Sequence, residues 1–200
     1  MILYLHGFRS SPKSYKATLL AQAMAERGLS DQWVCPQLPI SPAGAIDLTN
    51  TLIQQAHDNG LDPETQLTII GSSLGGYYTN YLAEIWRCKA VVLNPSVYPV
   101  RSLGAQVGQH TFYHSDEPLI FLPEHVDELA NLVTRKPVQP ERYYLLACKG
   151  DEVLDWRDMA DWYAGSAGRI LEGGDHGISD FELWLPEVLD FALASRSTHH

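Results

Sequence analysis

Leu67-Thr68-Ile69-Ile70-Gly71-Ser72-Ser73-Leu74-Gly75-Gly76 passes from a short apolar run through a glycine-bracketed serine into a stretch of helical periodicity, Leu74 to Arg87. A few apolar residues stopped by glycine read as a strand buried on both faces. Strand, tight turn and helix, in that order, is the setting in which a Gly-x-Ser-x-Gly pentapeptide holds its central serine hydroxyl at the carboxyl edge of a sheet. Ser73 fills the central position, and Ser72 is one residue out of register. The glycines at 71 and 75 let helix and neighbouring strand approach without a clash of Cβ atoms. The pentapeptide alone is a weak signal, and the plain alternative is a glycine-rich turn with an idle serine. A phosphate loop would need a Gly-Lys-Ser/Thr ending, which is absent.

Outward from this stretch, apolar runs alternate with helical periodicity, the pattern of a parallel sheet built from strand–helix units. Six runs are expected as strands: Ile2 to His6, Trp33 to Pro36, Leu67 to Gly71, Ala90 to Leu93, Tyr143 to Cys148 and Arg169 to Leu171. Helices are expected over Ser14 to Gly28, Ala45 to Asp58, Leu74 to Arg87, Trp156 to Tyr163 and Pro186 to Ala194, with Pro186 at a first helical position. The stretch of about 95–142 is too long for a plain crossover and holds one expected helix, roughly Glu124 to Arg135. It reads as an insertion or cap over the sheet's carboxyl edge. With no repeat, low-complexity tract or linker, residues 1–200 read as one domain.

Size and charge bound the function. Two hundred residues bury roughly 70% of the unfolded chain's surface, enough for a sheet covered on both sides. Twenty-four acidic against fourteen basic residues give a formal net charge of -10, which disfavours nucleic acid and anionic membrane surfaces. Met1 leads straight into an apolar run broken at His6, too short for a signal or membrane segment, so a cytoplasmic protein is expected. Cys35, Cys88 and Cys148 are odd in number and widely spaced, as reduced, packed thiols are.

A serine hydroxyl is a poor nucleophile at neutral pH and needs an adjacent base held by a third group. Gly150-Asp151-Glu152-Val153-Leu154 directly follows the strand ending at Cys148, and Gly173-Gly174-Asp175-His176-Gly177 follows the last short strand. Asp151 is therefore the expected acid, with Asp155 as its competitor; Asp155 and Asp158 lie further on and suit helix capping. Asp175 adjoins His176 in sequence, which usually points the two side chains apart. His176 is the expected base. His57, His110, His114, His125, His199 and His200 lie in helix, insertion or tail contexts and read as surface residues. At the end of the first strand, Leu5-His6-Gly7-Phe8 lets the backbone turn, so that the amides of Phe8 and Leu74 would bind an oxyanion. His6 reads as a structural ring fixing that loop.

These segments, with Ser10-Ser11-Pro12, Pro36-Gln37-Leu38-Pro39, Tyr77-Tyr78, Asn94-Pro95 and Glu172-Gly173-Gly174, closely resemble the small bacterial YqiA-like esterases of the α/β-hydrolase superfamily over nearly the whole chain. The resemblance implies a six-stranded parallel sheet of order 2-1-3-4-5-6 that lacks the first two strands of larger relatives. It also implies hydrolysis of small-molecule acyl esters, including acyl-coenzyme A thioesters. No metal or organic cofactor is expected. Tyr98, Phe112, Tyr113, Leu119 and Phe121 of the insertion are candidates for the pocket wall, with ordinary core as the alternative. Acyl transfer or carbon–carbon bond hydrolysis by the same residues, and a non-catalytic binding protein on the same fold, are the rival functions.

Overall fold

The computed structural model describes residues 1–194; His199 and His200 lie outside them. The chain runs β1 (Ile2–Leu5), α1 (Tyr15–Glu26), β2 (Trp33–Val34), α2 (Pro42–Asp58), α3 (Pro63–Gln66), β3 (Thr68–Ser72), α4 (Leu74–Trp86), β4 (Lys89–Leu93), α5 (Pro99–Leu103), β5 (Gly108–Thr111), β6 (Pro118–Phe121), α6 (Pro123–Asn131), β7 (Tyr143–Cys148), α7 (Trp156–Trp162), β8 (Ala167–Leu171) and α8 (Phe181–Leu193).

Six strands form one sheet of order β2-β1-β3-β4-β7-β8, every neighbouring pair parallel. With the inserted hairpin set aside, this is the expected 2-1-3-4-5-6. Alternation along the strands divides the core into two layers. Leu3, Leu5, Ile69, Ala90, Val92, Leu145 and Ala147 face one side, where residues of α2, α4, α6 and α7 cover them. Ile2, Tyr4, Ile70, Val91, Leu93, Leu146 and Cys148 face the other, against α1 and α8. Because both faces are covered, the central strands are buried throughout and carry near-continuous apolar runs, which is why they stood out in the sequence. The edge strand β8 is exposed along most of its length and begins at Ala167, two residues before the expected Arg169.

Three further differences have local causes. Helix α8 begins at Phe181, so Pro186 lies inside it rather than at its first turn. A start at Pro186 would leave the fully buried Phe181 outside the helix, and burying that aromatic face offsets the hydrogen bond that proline removes. The insertion holds α5 and an antiparallel β5–β6 hairpin as well as the expected helix. Leu119 and Phe121 alternate with exposed Pro118 and Ile120 along β6, and both point into the core. No helix among the described residues is long and apolar enough to cross a membrane.

Register lines up the carboxyl ends of the strands. Leu5 is opposite Gly71, Ser72 opposite Leu93, and Cys148 opposite Leu171. The segments that leave these ends therefore meet along one edge of the sheet.

Candidate active site

At that edge the chain turns from β3 into α4 through Ser73, whose φ of 55° and ψ of -119° are a strained conformation for a residue with a Cβ. The turn closes this tightly because its neighbours have no side chains. A Cβ on Gly75 would lie 2.0 Å from the Leu5 carbonyl oxygen, and one on Gly71 2.2 Å from the Gly75 oxygen. The Ser73 amide donates to Leu93 O at 3.1 Å, and its carbonyl accepts from Gly76 and Ser96. The hydroxyl is left to face a cavity of about 450 Å3.

The loop after β8 carries His176 to this hydroxyl. Nε2 lies 2.9 Å from Ser73 Oγ, and Nδ1 lies 2.8 Å from Asp151 Oδ2. The Asp151 side chain is fully buried and the His176 side chain is 21% exposed. Asp151 Oδ1 accepts the amides of Val153 and Leu154, each at 2.8 Å, so the carboxylate acts as an acceptor on both oxygens. Nδ1 therefore carries the ring proton, and Nε2 is free to accept from the serine hydroxyl. Asp155 is elsewhere: it caps α7 by accepting the Arg157 amide at 2.9 Å and pairs with the Arg157 guanidinium. That amide holds the Asp155 carboxyl below the usual carboxylate range. Asp158 pairs with Arg101, and the Asp175 carboxylate turns away onto Ser179.

On the other side of Ser73 lies the turn after β1. His6 is buried; its Nε2 accepts the Leu38 amide at 3.1 Å, so its Nδ1 donates to Gly7 O at 3.0 Å. Burial lowers its pKa, which keeps the ring neutral. Tying down the Gly7 carbonyl fixes the peptide plane it shares with the Phe8 amide, and in a trans peptide that amide points the opposite way. A Cβ on Gly7 would come within 3.1 Å of Ser73 Cβ. Phe8 and Leu74 both line the cavity.

Three side chains that the sequence does not single out, Asn94, Glu152 and Lys16, hold the His176 loop. Asn94, fully buried at the end of β4, donates through Nδ2 to the carbonyls of Asp175 (2.9 Å) and His176 (3.1 Å) and accepts the Cys148 amide at 2.8 Å. It thus ties the His176 loop to β7, which leads into the Asp151 loop. The only hint was the Asn-Pro pair after a strand. Glu152 accepts the His176 amide at 3.0 Å. Lys16 of α1 also reaches this loop, donating to Gly177 O. Burial pulls its pKa down to about 8 against the opposing pull of Asp175.

Of the aromatic and aliphatic residues expected in the wall, only Tyr113 lines this cavity. Leu119 and Phe121 are core, Phe112 lies behind Phe8 beside Leu38 and Pro39, and Tyr98 packs edge-on against Trp162.

The family model described as "Uncharacterised protein family (UPF0227)" matches residues 1–193. The chain is 25% identical over 159 residues to a UPF0227 protein of Pectobacterium carotovorum, covering 78% of this chain and 77% of that one. It is 23% identical over 158 residues to a UPF0227 protein of Vibrio campbellii, covering 78% of each. Among solved structures it resembles mouse alpha/beta hydrolase domain-containing protein 10, with a TM-score of 0.67 at 16% identity over 94% of this chain and 88% of that one. It also resembles Est1E of Butyrivibrio proteoclasticus with ferulic acid bound, with a TM-score of 0.65 at 15% identity over 96% and 87%. The metagenome-derived lipolytic enzymes LipS and LipT give 0.66 at 17% over 96% and 92%. At these identities the likeness establishes the fold, that of the α/β hydrolases.

Proposed function

The chain belongs to the UPF0227 family, and from that premise we propose that it is a serine hydrolase of small-molecule carboxylic esters, thioesters included, acting through Ser73, His176 and Asp151. The observation that carries this reading is the unbroken hydrogen-bond line from Ser73 Oγ through the two nitrogens of His176 to a fully buried Asp151.

In this reading Ser73 Oγ attacks the acyl carbonyl carbon as its proton passes to His176 Nε2. Asp151 keeps the ring in the tautomer that can accept that proton and stabilises the imidazolium that results. The amides of Phe8 and Leu74 take the oxyanion of the tetrahedral intermediate; losing one such donor typically costs roughly 10²- to 10³-fold. His176 then returns the proton to the leaving oxygen or sulfur, leaving an acyl-Ser73. A water deprotonated by His176 attacks that ester, and the proton passes from His176 back to Ser73 Oγ as the acid leaves. None of these steps calls on a metal or organic cofactor.

The segment of about 95–142 acts as a cap of the single domain, since Ser102, Leu103, Gln106, Tyr113 and His114 supply part of the cavity wall. We place the enzyme in the cytoplasm, a location that suits the three free cysteines.

The test is turnover of nitrophenyl esters of increasing chain length by wild type, Ser73→Ala, Asp151→Asn and Asp155→Asn. Ser73→Ala should lose roughly 10⁶-fold in kcat. Asp151→Asn should lose roughly 10⁴-fold, while Asp155→Asn stays close to wild type. Retained turnover in Ser73→Ala overturns the reading.

A further inference from the structure

The cavity that holds Ser73 is electrostatically at odds with the rest of the molecule. The chain carries 24 acidic residues among 200, yet among the described residues no aspartate or glutamate lines the cavity. Its charged wall residues are Arg9 and Lys16, with His114 beside them.

Lys16 sits where a cation is costly on several counts. It is only 9% exposed. It occupies the first turn of α1, the positive end of the helix, where an acidic residue is favoured; that turn carries none, and the cap residue Ser14 makes no side-chain capping bond. Among the described residues no carboxylate oxygen lies within ion-pairing distance of its ammonium. Among the described residues the one acceptor it reaches is the carbonyl of Gly177, next to His176, which leaves further N–H donors unspent. Unlike the buried Lys89, whose ammonium donates to two carbonyls away from the cavity, Lys16 keeps donors to spare at the cavity wall, as a group that binds an anion does.

Arg9 forms a second arm. Its backbone is strained, at a φ of 61°. Its Nε donates to Thr111 O at 2.7 Å, and its guanidinium stacks 4.6 Å from the Tyr113 ring centroid. Those contacts position the group on the cavity wall, and it too has no carboxylate partner among the described residues.

We propose that the substrate carries an anionic group, a carboxylate or a phosphate, a few bonds from the scissile carbonyl, and that Lys16 with Arg9 binds it inside the cavity. This deepens the hydrolase reading and rests on it. The anion gives Lys16 the close ion-pair partner that Asp175 and Asp151, which act on it from beyond ion-pairing distance, do not supply, and it offsets the positive end of α1. In a water-poor site, hydrogen bonds from a charged donor are worth roughly 10- to 100-fold in affinity.

Two matched pairs of substrates test this and locate the anion. The mono-nitrophenyl ester of adipic acid against nitrophenyl hexanoate reports an anion on the acyl side. The butyryl ester of 2-hydroxyethyl phosphate against that of ethylene glycol, followed by acid release, reports one on the leaving group. In one pair the wild type should favour the anionic member in kcat/KM by roughly 10- to 100-fold. That preference should shrink as salt is raised from about 0.05 to 0.5 M. The ratio of anionic to neutral rates should collapse in Lys16→Met, shrink in Arg9→Ala and largely survive in Lys16→Arg. The wild-type salt series still decides the matter if Lys16→Met does not fold. Neutral esters turned over with no anionic preference in either pair, or a preference that survives both Lys16→Met and Arg9→Ala, overturns the anion site alone. If wild type turns over no ester at all, the hydrolase reading fails and the anion site with it.

Discussion

Removing the side chain of Asn94 should loosen the site from below without touching any reacting atom. Its amide makes three hydrogen bonds, at 2.8, 2.9 and 3.1 Å, in a position with no solvent exposure. Each bond is worth about 1 kcal/mol net, so Asn94→Ala should lose about 3 kcal/mol of stability. For a chain of this length that corresponds to roughly 6–12 °C in Tm. Asn94→Asp, of nearly the same shape, should do no better: the bonds to the carbonyls of Asp175 and His176 need a donor, and a carboxylate has none to give. The same change frees the His176 loop from β7, and a displacement of about 1 Å at the base costs roughly 100-fold in rate. Thermal unfolding and nitrophenyl ester turnover of wild type and both variants measure the two effects. A Tm within about 3 °C of wild type together with unchanged turnover would refute the claim that Asn94 holds the loop.

Gly75→Ala places a methyl group 2.0 Å from the Leu5 carbonyl oxygen, so α4 must shift away from β1; a cost of roughly 1–3 kcal/mol in urea unfolding and a fall in kcat are expected. The His6 pKa is lowered from its ordinary 6.5 by burial, so its contribution to stability is fully present above about pH 6.5 and is lost as pH falls towards the folded-state value. His6→Gln should therefore lose stability less steeply than wild type between pH 7 and 5 in denaturant titrations. Lys16 has the same sign: with a folded pKa of about 8 against 10.5, its contribution is complete above 10.5 and is lost as pH falls through about 8, so Lys16→Met should flatten the alkaline rise in stability. Tyr113→Ala should raise KM for nitrophenyl esters, whereas Tyr98→Ala, which alters a contact with Trp162 outside the cavity, should leave it unchanged; the reverse result would relocate the acyl pocket.

What the sequence disclosed and what it hid follow from the range of the interactions involved. β1, β3, β4 and β7 were legible because strands buried on both faces carry near-continuous apolar runs, with Thr68, Ser72 and Lys89 only at their ends. Edge strand β8, with Gly168 and Arg169, carries no such signal along its exposed length. The β5–β6 hairpin was missed because Gly108-Gln109-His110-Thr111 buries only alternate positions, and those only in part. Once the hairpin is overlooked, Leu119 and Phe121 look like free aromatic and aliphatic groups rather than one inward face. Pro186 misled because proline suits a first helical turn, while the burial that starts α8 earlier is tertiary. At the site, Ser73, Asp151 and His176 could be singled out because each lies on the segment that leaves a strand's carboxyl end, and register brings those ends together. Asn94 and Lys16 act on partners 81 and 161 residues away, and no local pattern announces that.

If Ser73 is the residue that becomes acylated, a covalent label will find it. Wild type treated with an alkyl fluorophosphonate and analysed by intact and peptide mass spectrometry should gain one adduct on the peptide containing Ser73, with ester turnover lost in proportion. Ser73→Ala and heat-unfolded wild type should gain none. No adduct on the folded protein, or an adduct elsewhere while Ser73→Ala still turns over esters, would contradict the account.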